Sequence, residues 1–92
     1  MRLTGRIRVH GHVQGVWFRD WTVGEARKLG VDGWVRNCRD GTVEVLAAGE
    51  AQAVDALIER LREGSPRARV DRIETADVDE IVEAGFRRAP TA

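Results

Sequence analysis

The stretch RIRVHGHVQGVWFR, residues 6–19, contains a strand, a loop and the first turn of a helix. Ile7 and Val9 alternate with charged or polar residues, which is typical of a strand with one buried face. Gly11 interrupts the alternation and predicts a bulge or a close approach of another backbone. The alternation ends after Val13, so we interpret the next residues as a loop that leads into a helix.

The rest of the chain contains further strands and helices. Val54, Leu57 and Leu61 recur at helical spacing, and Asp40-Gly41 favours a tight hairpin turn. Strands are predicted at residues 6–13, 33–38, 42–48 and 70–78, the fourth with a bulge, helices at 18–29 and 50–62, and at best a short last strand from Phe86. This order predicts an α+β fold, a ferredoxin-like βαββαβ sandwich in which two helices cover one face of an antiparallel sheet.

Composition narrows the class of protein. The 92 residues fit one domain, residues 1–92, and 15 basic against 15 acidic residues leave no net charge that would attract nucleic acid or a membrane. The lone cysteine, Cys38, excludes an intramolecular disulfide and a structural cysteine-based zinc site. Because the sequence has no signal-peptide core and no apolar run of about 20 residues, we expect a cytoplasmic protein, which we take to be a monomer. We expect the tail, residues 87–92, to fray.

The loop before the first helix has the elements of an anion site. The first turn of a helix has unpaired N–H groups and the positive end of the helix dipole. A loop that contains Gly15 can turn successive N–H groups inward. Arg19 follows in the first turn, and its guanidinium can bind two phosphate oxygens at once. Taken alone, such a short motif discriminates poorly, because many glycine-containing loops before helices bind nothing.

Asn37 ends the second predicted strand, just before the Asp40-Gly41 turn. Its amide offers one acceptor and two donors but cannot take up a proton as a base. By itself, Asn37 is best interpreted as a turn residue that caps the hairpin. Together with the upstream loop, the same amide could hold a water molecule in line with a bound phosphorus atom.

Two sequence motifs connect the chain with a known family. Residues 11–19, GHVQGVWFR, match the pattern G-x-V-Q-G-V-x-F-R, and residues 30–44, GVDGWVRNCRDGTVE, are similar to a second pattern of the same family. On these motifs the chain resembles the acylphosphatases, and the resemblance extends over residues 6–86. It implies an enzyme that hydrolyses the carboxyl-phosphate bond of small acyl phosphates to a carboxylate and inorganic phosphate.

The resemblance also implies roles for particular residues. The Arg19 side chain and a set of loop amides would bind the substrate phosphate, and Asn37 would orient the attacking water. Those amides belong to Gln14, Gly15, Val16, Trp17 and Phe18. By the same resemblance, the enzyme uses no metal and no cofactor and forms no covalent phosphoenzyme.

The limited chemistry of these residues agrees with such a substrate. The matched set contains no Asp, Glu or Cys that could act as a strong base. An acyl phosphate releases a carboxylate, which needs no proton. Its loose transition state depends mainly on positioning and on stabilisation of charge. The residues therefore favour an acyl phosphate over an alkyl phosphate ester.

Three other kinds of residue have more than one interpretation. Trp17 either packs over the helix start, which we favour, or lines a pocket for the acyl group. His10 and His12 share a strand face and could contact a metal, but no third ligand is evident, so we interpret them as solvated. Cys38 lacks a paired base and is expected to be a packed or partly exposed thiol rather than a nucleophile.

Two other functions are compatible with this fold. One is a non-catalytic ferredoxin-like module that binds an anion or a phosphate, and the other is an acylphosphatase-like domain inside a larger maturation enzyme. RNA binding is disfavoured, because the sequence has no Tyr and no net positive charge. The lack of a partner domain and of zinc-finger cysteines favours a free-standing enzyme.

Overall fold

The alternation in the first strand determines which side of the sheet is buried. In the computed structural model, which describes all 92 residues, Ile7 and Val9 are completely buried, and Arg6 and Arg8 lie on the opposite, partly exposed face. The strands are β1 (Arg2–His12), β2 (Asp32–Asn37), β3 (Val43–Glu50), β4 (Arg69–Asp77) and β5 (Phe86–Arg88), and the helices are α1 (Phe18–Leu29) and α2 (Ala51–Glu63). Both helices pack on the face of Ile7 and Val9 and enclose one hydrophobic core.

The five strands form one sheet in the order β4-β1-β3-β2-β5. All neighbouring pairs are antiparallel except β2 and β5, which are parallel. The predicted ferredoxin-like arrangement is confirmed: β1 to β4 form the antiparallel sheet, and the short last strand, β5, adds to its edge in parallel. Residues 78–85 carry the chain from β4 at one edge of the sheet to β5 at the other, where it runs in the direction of β2.

Gly11 lies where β1 and β4 change register. Its φ is 136°, and a Cβ atom at this position would lie 2.1 Å from the carbonyl oxygen of Arg69. Val70 and Arg72 oppose consecutive residues of β1, so the residue between them is the extra one of a bulge in β4. The predicted close approach at Gly11 and the predicted bulge in β4 are both confirmed.

The tail does not fray, contrary to the prediction for residues 87–92. The N–H of Ala89 donates to the carbonyl of Val35 at 2.8 Å, and the N–H of Ala92 donates to the carbonyl of Asn37 at 3.0 Å. The outer edge of β2 offers unpaired backbone groups, and the tail satisfies them. The chain end therefore lies against the residue predicted to orient the water. Neither helix combines the length and hydrophobicity that crossing a membrane requires.

One carboxylate is buried on the face of the sheet opposite the helices. The side chain of Glu44, in β3, is only 3% exposed. It accepts hydrogen bonds from Arg6 Nη1 at 3.0 Å and from Arg36 Nε at 2.8 Å, and Arg8 Nη2 lies 3.6 Å from it. Burial alone would raise the pKa of Glu44, but the hydrogen bond and charge of Arg36, with the charge of Arg6, outweigh it and hold the pKa below its usual value.

We expect Glu44→Gln to destabilise the protein at neutral pH and much less in acid. The variant loses a carboxylate that pairs with partly exposed arginines, so the free energy of unfolding should fall by about 1–3 kcal/mol, between the values for exposed and buried pairs. Because the pKa of Glu44 is lowered on folding, its contribution is complete above the ordinary value of 4.5 and is lost as the pH falls through the folded value.

Urea unfolding of wild type and Glu44→Gln at about pH 7 and about pH 3 would measure this contribution. Glu59→Gln serves as a control, because Glu59 is exposed and its ion pair with Arg62 is long, at 3.6 Å. A difference between wild type and Glu44→Gln that stays constant in acid would contradict the assignment.

Candidate active site

In the loop between β1 and α1, left-handed residues alternate with residues of negative φ. Gly15 and Trp17 both adopt the left-handed conformation, with φ of 72° and 63°. Left-handed residues in such a turn direct neighbouring N–H groups toward one side and create a concave site for an anion. α1 begins directly after Trp17, and no side chain caps its N-terminus. The unpaired N–H groups of the first helical turn therefore continue the row of donors that starts in the loop.

The side chain of Gln14 fixes this loop to the hairpin between β2 and β3. Its Nε2 donates to the carbonyl oxygens of Cys38 and Thr42, both at 2.8 Å. These bonds hold the loop against the turn that follows Asn37. The family resemblance implies only a backbone role for Gln14, and the structure adds a bracing role for its side chain.

A cavity of about 280 Å³ lies between the loop, the start of α1 and the end of β2. The structure brings five of the seven predicted site residues to this cavity, including Arg19 and Asn37, whereas Gln14 and Val16 do not line it. The lining residues are Val13, Gly15, Trp17, Phe18, Arg19, Asp20, Asn37 and Arg88. We call this space the phosphate cavity, after the ligand predicted for it.

Asn37 presents an uncommitted acceptor at the end of β2. Its Oδ1 is buried and has no hydrogen-bond partner. A buried acceptor left unpaired lowers stability, so this atom is free to accept a hydrogen bond from a water molecule or a ligand. The alternative role, capping the hairpin, belongs to Asp40 instead, whose Oδ1 accepts a hydrogen bond from Thr42 N at 3.0 Å.

The cavity is also lined by two charged residues that the sequence does not predict, Asp20 and Arg88. They form an ion pair, with 3.2 Å between Arg88 Nη1 and Asp20 Oδ1, whereas Arg19 takes part in no ion pair. Asp20 directly follows Arg19 in the sequence, so its position beside the cavity could have been predicted. Arg88 comes from β5 near the far end of the chain and carries no local signal. The matched motif lacks a carboxylate, but the cavity itself contains one.

The expectation that Trp17 packs over the helix start is wrong. Its side chain is 72% exposed, because the left-handed backbone at this residue takes it off the apolar stripe of α1. Trp17 borders the phosphate cavity on one side and an apolar groove of about 240 Å³ on the other. Its alternative role, toward the acyl group, stays a prediction.

The remaining candidate residues lie outside this cavity. His10 Nε2 contacts Glu74 Oε1 and lies 3.3 Å from Arg72 Nη2 on the open face of the sheet. No cluster of three or more His, Cys, Asp or Glu side chains is arranged to hold a metal ion. Cys38 is a free thiol and is buried, the first of the two predicted alternatives.

Comparisons with known proteins point in the same direction as the site. The family model described as Acylphosphatase matches residues 5–88. An acylphosphatase of Rhizorhabdus wittichii is 54% identical over 90 residues, which cover 98% of this chain and 91% of the relative.

Two solved structures share the whole architecture. An acylphosphatase from Coxiella burnetii has a TM-score of 0.91 and 34% identity, and the match covers 96% of this chain and 93% of the other. An acylphosphatase from Bacillus subtilis has a TM-score of 0.89 and 37% identity, with 97% and 99% of the two chains covered. The family model and these relatives confirm the enzyme class predicted from the sequence: the chain belongs to the acylphosphatase family.

Proposed function

We propose that the chain hydrolyses the carboxyl-phosphate bond of small acyl phosphates by in-line attack of water, without a metal or a cofactor. One observation carries this proposal: Arg19, which has no ion pair, and the unpartnered Oδ1 of Asn37 line the same cavity at the uncapped start of α1. We also propose that residues 1–92 act as a single acylphosphatase-like domain, as a cytoplasmic monomer.

The phosphate group is bound by two kinds of donor. The amides of residues 14–18 surround its oxygens, and the alternating conformation at Gly15 and Trp17 supports this because it directs N–H groups inward. Arg19 supplies a permanent positive charge and can bind two oxygens through its planar guanidinium. In phosphoryl transfer, positioning and charge stabilisation provide most of the rate acceleration, so these donors can act without a metal ion.

Asn37 orients the nucleophile. Its Oδ1 accepts a hydrogen bond from a water molecule and places that water in line with the carboxyl-phosphate bond. An amide cannot remove the proton. It does not need to, because in a loose transition state the bond to the leaving group is largely broken before the water is strongly acidified. Because the water is held in this orientation, its reaction with the phosphate is effectively unimolecular and does not depend on a random encounter in solution.

The leaving group defines the substrate class. A carboxylate leaves as a stable anion and needs no general acid, whereas an alkoxide from an ester would need one. The carboxylate in the cavity, Asp20, is paired with Arg88 and is not given a proton-transfer role in the proposed mechanism. The site therefore suits acyl phosphates and disfavours phosphate esters.

We expect the purified protein to hydrolyse benzoyl phosphate in the presence of EDTA and to leave p-nitrophenyl phosphate intact. Turnover should fall within the usual enzymatic range of about 1–10³ per second. The loss of benzoyl phosphate absorbance measures the reaction, and the ester controls for a general phosphatase. A folded protein that binds inorganic phosphate but turns over neither compound would instead be a non-catalytic phosphate-binding module. Turnover that EDTA abolishes would contradict the metal-independent mechanism.

A further inference from the structure

A second arginine reaches the phosphate cavity from the far end of the chain. Arg88 is in β5, in register with Val35 of the parallel strand β2, two residues before Asn37. Phe86 anchors β5 in the core, and the next residue after Arg88 donates its N–H to the carbonyl of Val35 at 2.8 Å. The backbone of Arg88 is therefore fixed beside the strand that carries Asn37.

The contacts of Arg88 leave its guanidinium available to a ligand. Its only ion pair is with Asp20 in the first turn of α1, at 3.2 Å, and the two side chains are 53% and 50% exposed. Both residues line the phosphate cavity together with Arg19. Exposed ion pairs of this kind are weak. Arginine bonds to phosphate oxygens are among the stronger charge-assisted bonds, and a guanidinium has five N–H donors, so Arg88 can bind a phosphate oxygen while it stays paired with Asp20.

The charge of the cavity favours the same arrangement. Its lining holds two guanidinium groups and one carboxylate, whereas a phosphate group carries about −1.5 to −2 charges near pH 7. The single positive charge of Arg19 does not balance the negative charges of both the phosphate and Asp20. If Arg88 made no contact with the ligand, the carboxylate would lie beside an anion with only a solvent-exposed partner to screen it.

We propose that Arg88 binds an oxygen of the substrate phosphate together with Arg19, and that Asp20 is a positioning residue that holds the Arg88 guanidinium at the cavity. The proposal rests on the proposed function for the identity of the substrate. It assigns a phosphate-binding role to a residue outside both sequence motifs.

Four proteins test the proposal: wild type, Arg88→Ala, Asp20→Asn and the double variant. The dissociation constant of inorganic phosphate is measured by calorimetry, and kcat and KM are measured with benzoyl phosphate. Arg87→Ala is the matched control, because it removes the same charge from β5 at a residue that borders a different surface cavity. Circular dichroism confirms that each variant is folded.

We expect Arg88→Ala to raise the dissociation constant of phosphate and the KM about tenfold, as for the loss of one hydrogen bond to an anion, with little change in kcat. Asp20→Asn should change both constants less than about threefold, as for an exposed pair. The decisive comparison is between the double variant and the single variant Asp20→Asn. In the absence of the Asp20 carboxylate, the loss of Arg88 should again weaken phosphate binding about tenfold. Arg87→Ala should bind phosphate like the wild type.

Three outcomes would overturn the proposal. If the double variant binds phosphate as tightly as Asp20→Asn, Arg88 only neutralises Asp20. If Arg87→Ala weakens binding as much as Arg88→Ala, the effect is one of overall charge. If Asp20→Asn loses kcat while phosphate binding is kept, Asp20 takes part in proton transfer.

Failure of the proposed function would look different. If the wild type binds phosphate but does not hydrolyse benzoyl phosphate, the catalytic assignment is wrong. The dissociation constants of the four proteins still test the role of Arg88 in that case.

Discussion

Replacing Arg19 with alanine is expected to lower kcat/KM for benzoyl phosphate by about 10³-fold, as for loss of a preorganised charge at a phosphoryl transition state. Arg19 lines the phosphate cavity from the first turn of α1 and has no structural partner there. Its removal should therefore leave the fold intact, with a change in the free energy of unfolding within about 0.5 kcal/mol, as for a surface substitution. Steady-state hydrolysis and urea unfolding of the same samples measure the two effects.

Two further variants show whether the effect is specific to the Arg19 guanidinium. Arg19→Lys keeps the charge but loses the planar fork, so it should recover only part of the lost activity. Arg62→Ala removes an exposed arginine from the end of α2, away from the cavity, and should be as active as the wild type. Full activity of purified Arg19→Ala would show that phosphate is bound elsewhere.

Asn37→Ala should reduce kcat by about 10²–10³-fold, comparable to the loss of a single positioned hydrogen-bonding group in other active sites. The dissociation constant of inorganic phosphate should change much less, because the oriented water matters only in the reaction. Stability should not fall, since the Asn37 Oδ1 accepts no hydrogen bond that the substitution would break. Stopped-flow or steady-state kinetics with benzoyl phosphate, beside calorimetry with phosphate, separates turnover from binding.

Cys38→Ala is the matched control for Asn37→Ala. It alters the next residue, which is buried directly after β2, without removing an amide, and it should retain activity. Loss of activity in Cys38→Ala would support the alternative in which the thiol is a nucleophile. An Asn37→Ala protein that loses phosphate binding but keeps its turnover per bound substrate would rule out a water-orienting role.

Local patterns were sufficient to predict the elements that build the site. The helix predicted at residues 18–29 has the bounds of α1, because its apolar spacing and the glycine that follows it are read from neighbouring residues. The loop at Gly15 and the turn at Asp40-Gly41 have equally local signatures. β1 begins at Arg2 rather than at residue 6, because its first residues pair with distant strands. They pair with β3 from Arg2 against Glu50 to Gly5 against Ala47, and Gly5 also pairs with β4.

The features that the sequence did not predict depend on distant contacts. Arg88 enters the cavity because β5 pairs in parallel with β2, and no periodicity near Arg88 expresses that pairing. The ordered tail depends on free backbone groups at the edge of β2. Trp17 is exposed because of its left-handed backbone conformation. Its residue type does not predict that conformation, since left-handed φ values are rare outside glycine.

The two outermost strands also bear on how copies of the chain meet. In β4, five of nine residues are charged, and the bulge opposite Gly11 interrupts its regular pattern. At the other edge, β5 has only three residues, two of them arginines. Charge, irregular backbone and short length are features by which natural sheets resist adding strands from another molecule. The sheet therefore ends on both sides in poor templates for aggregation, which should help the native protein to stay dispersed at high concentration.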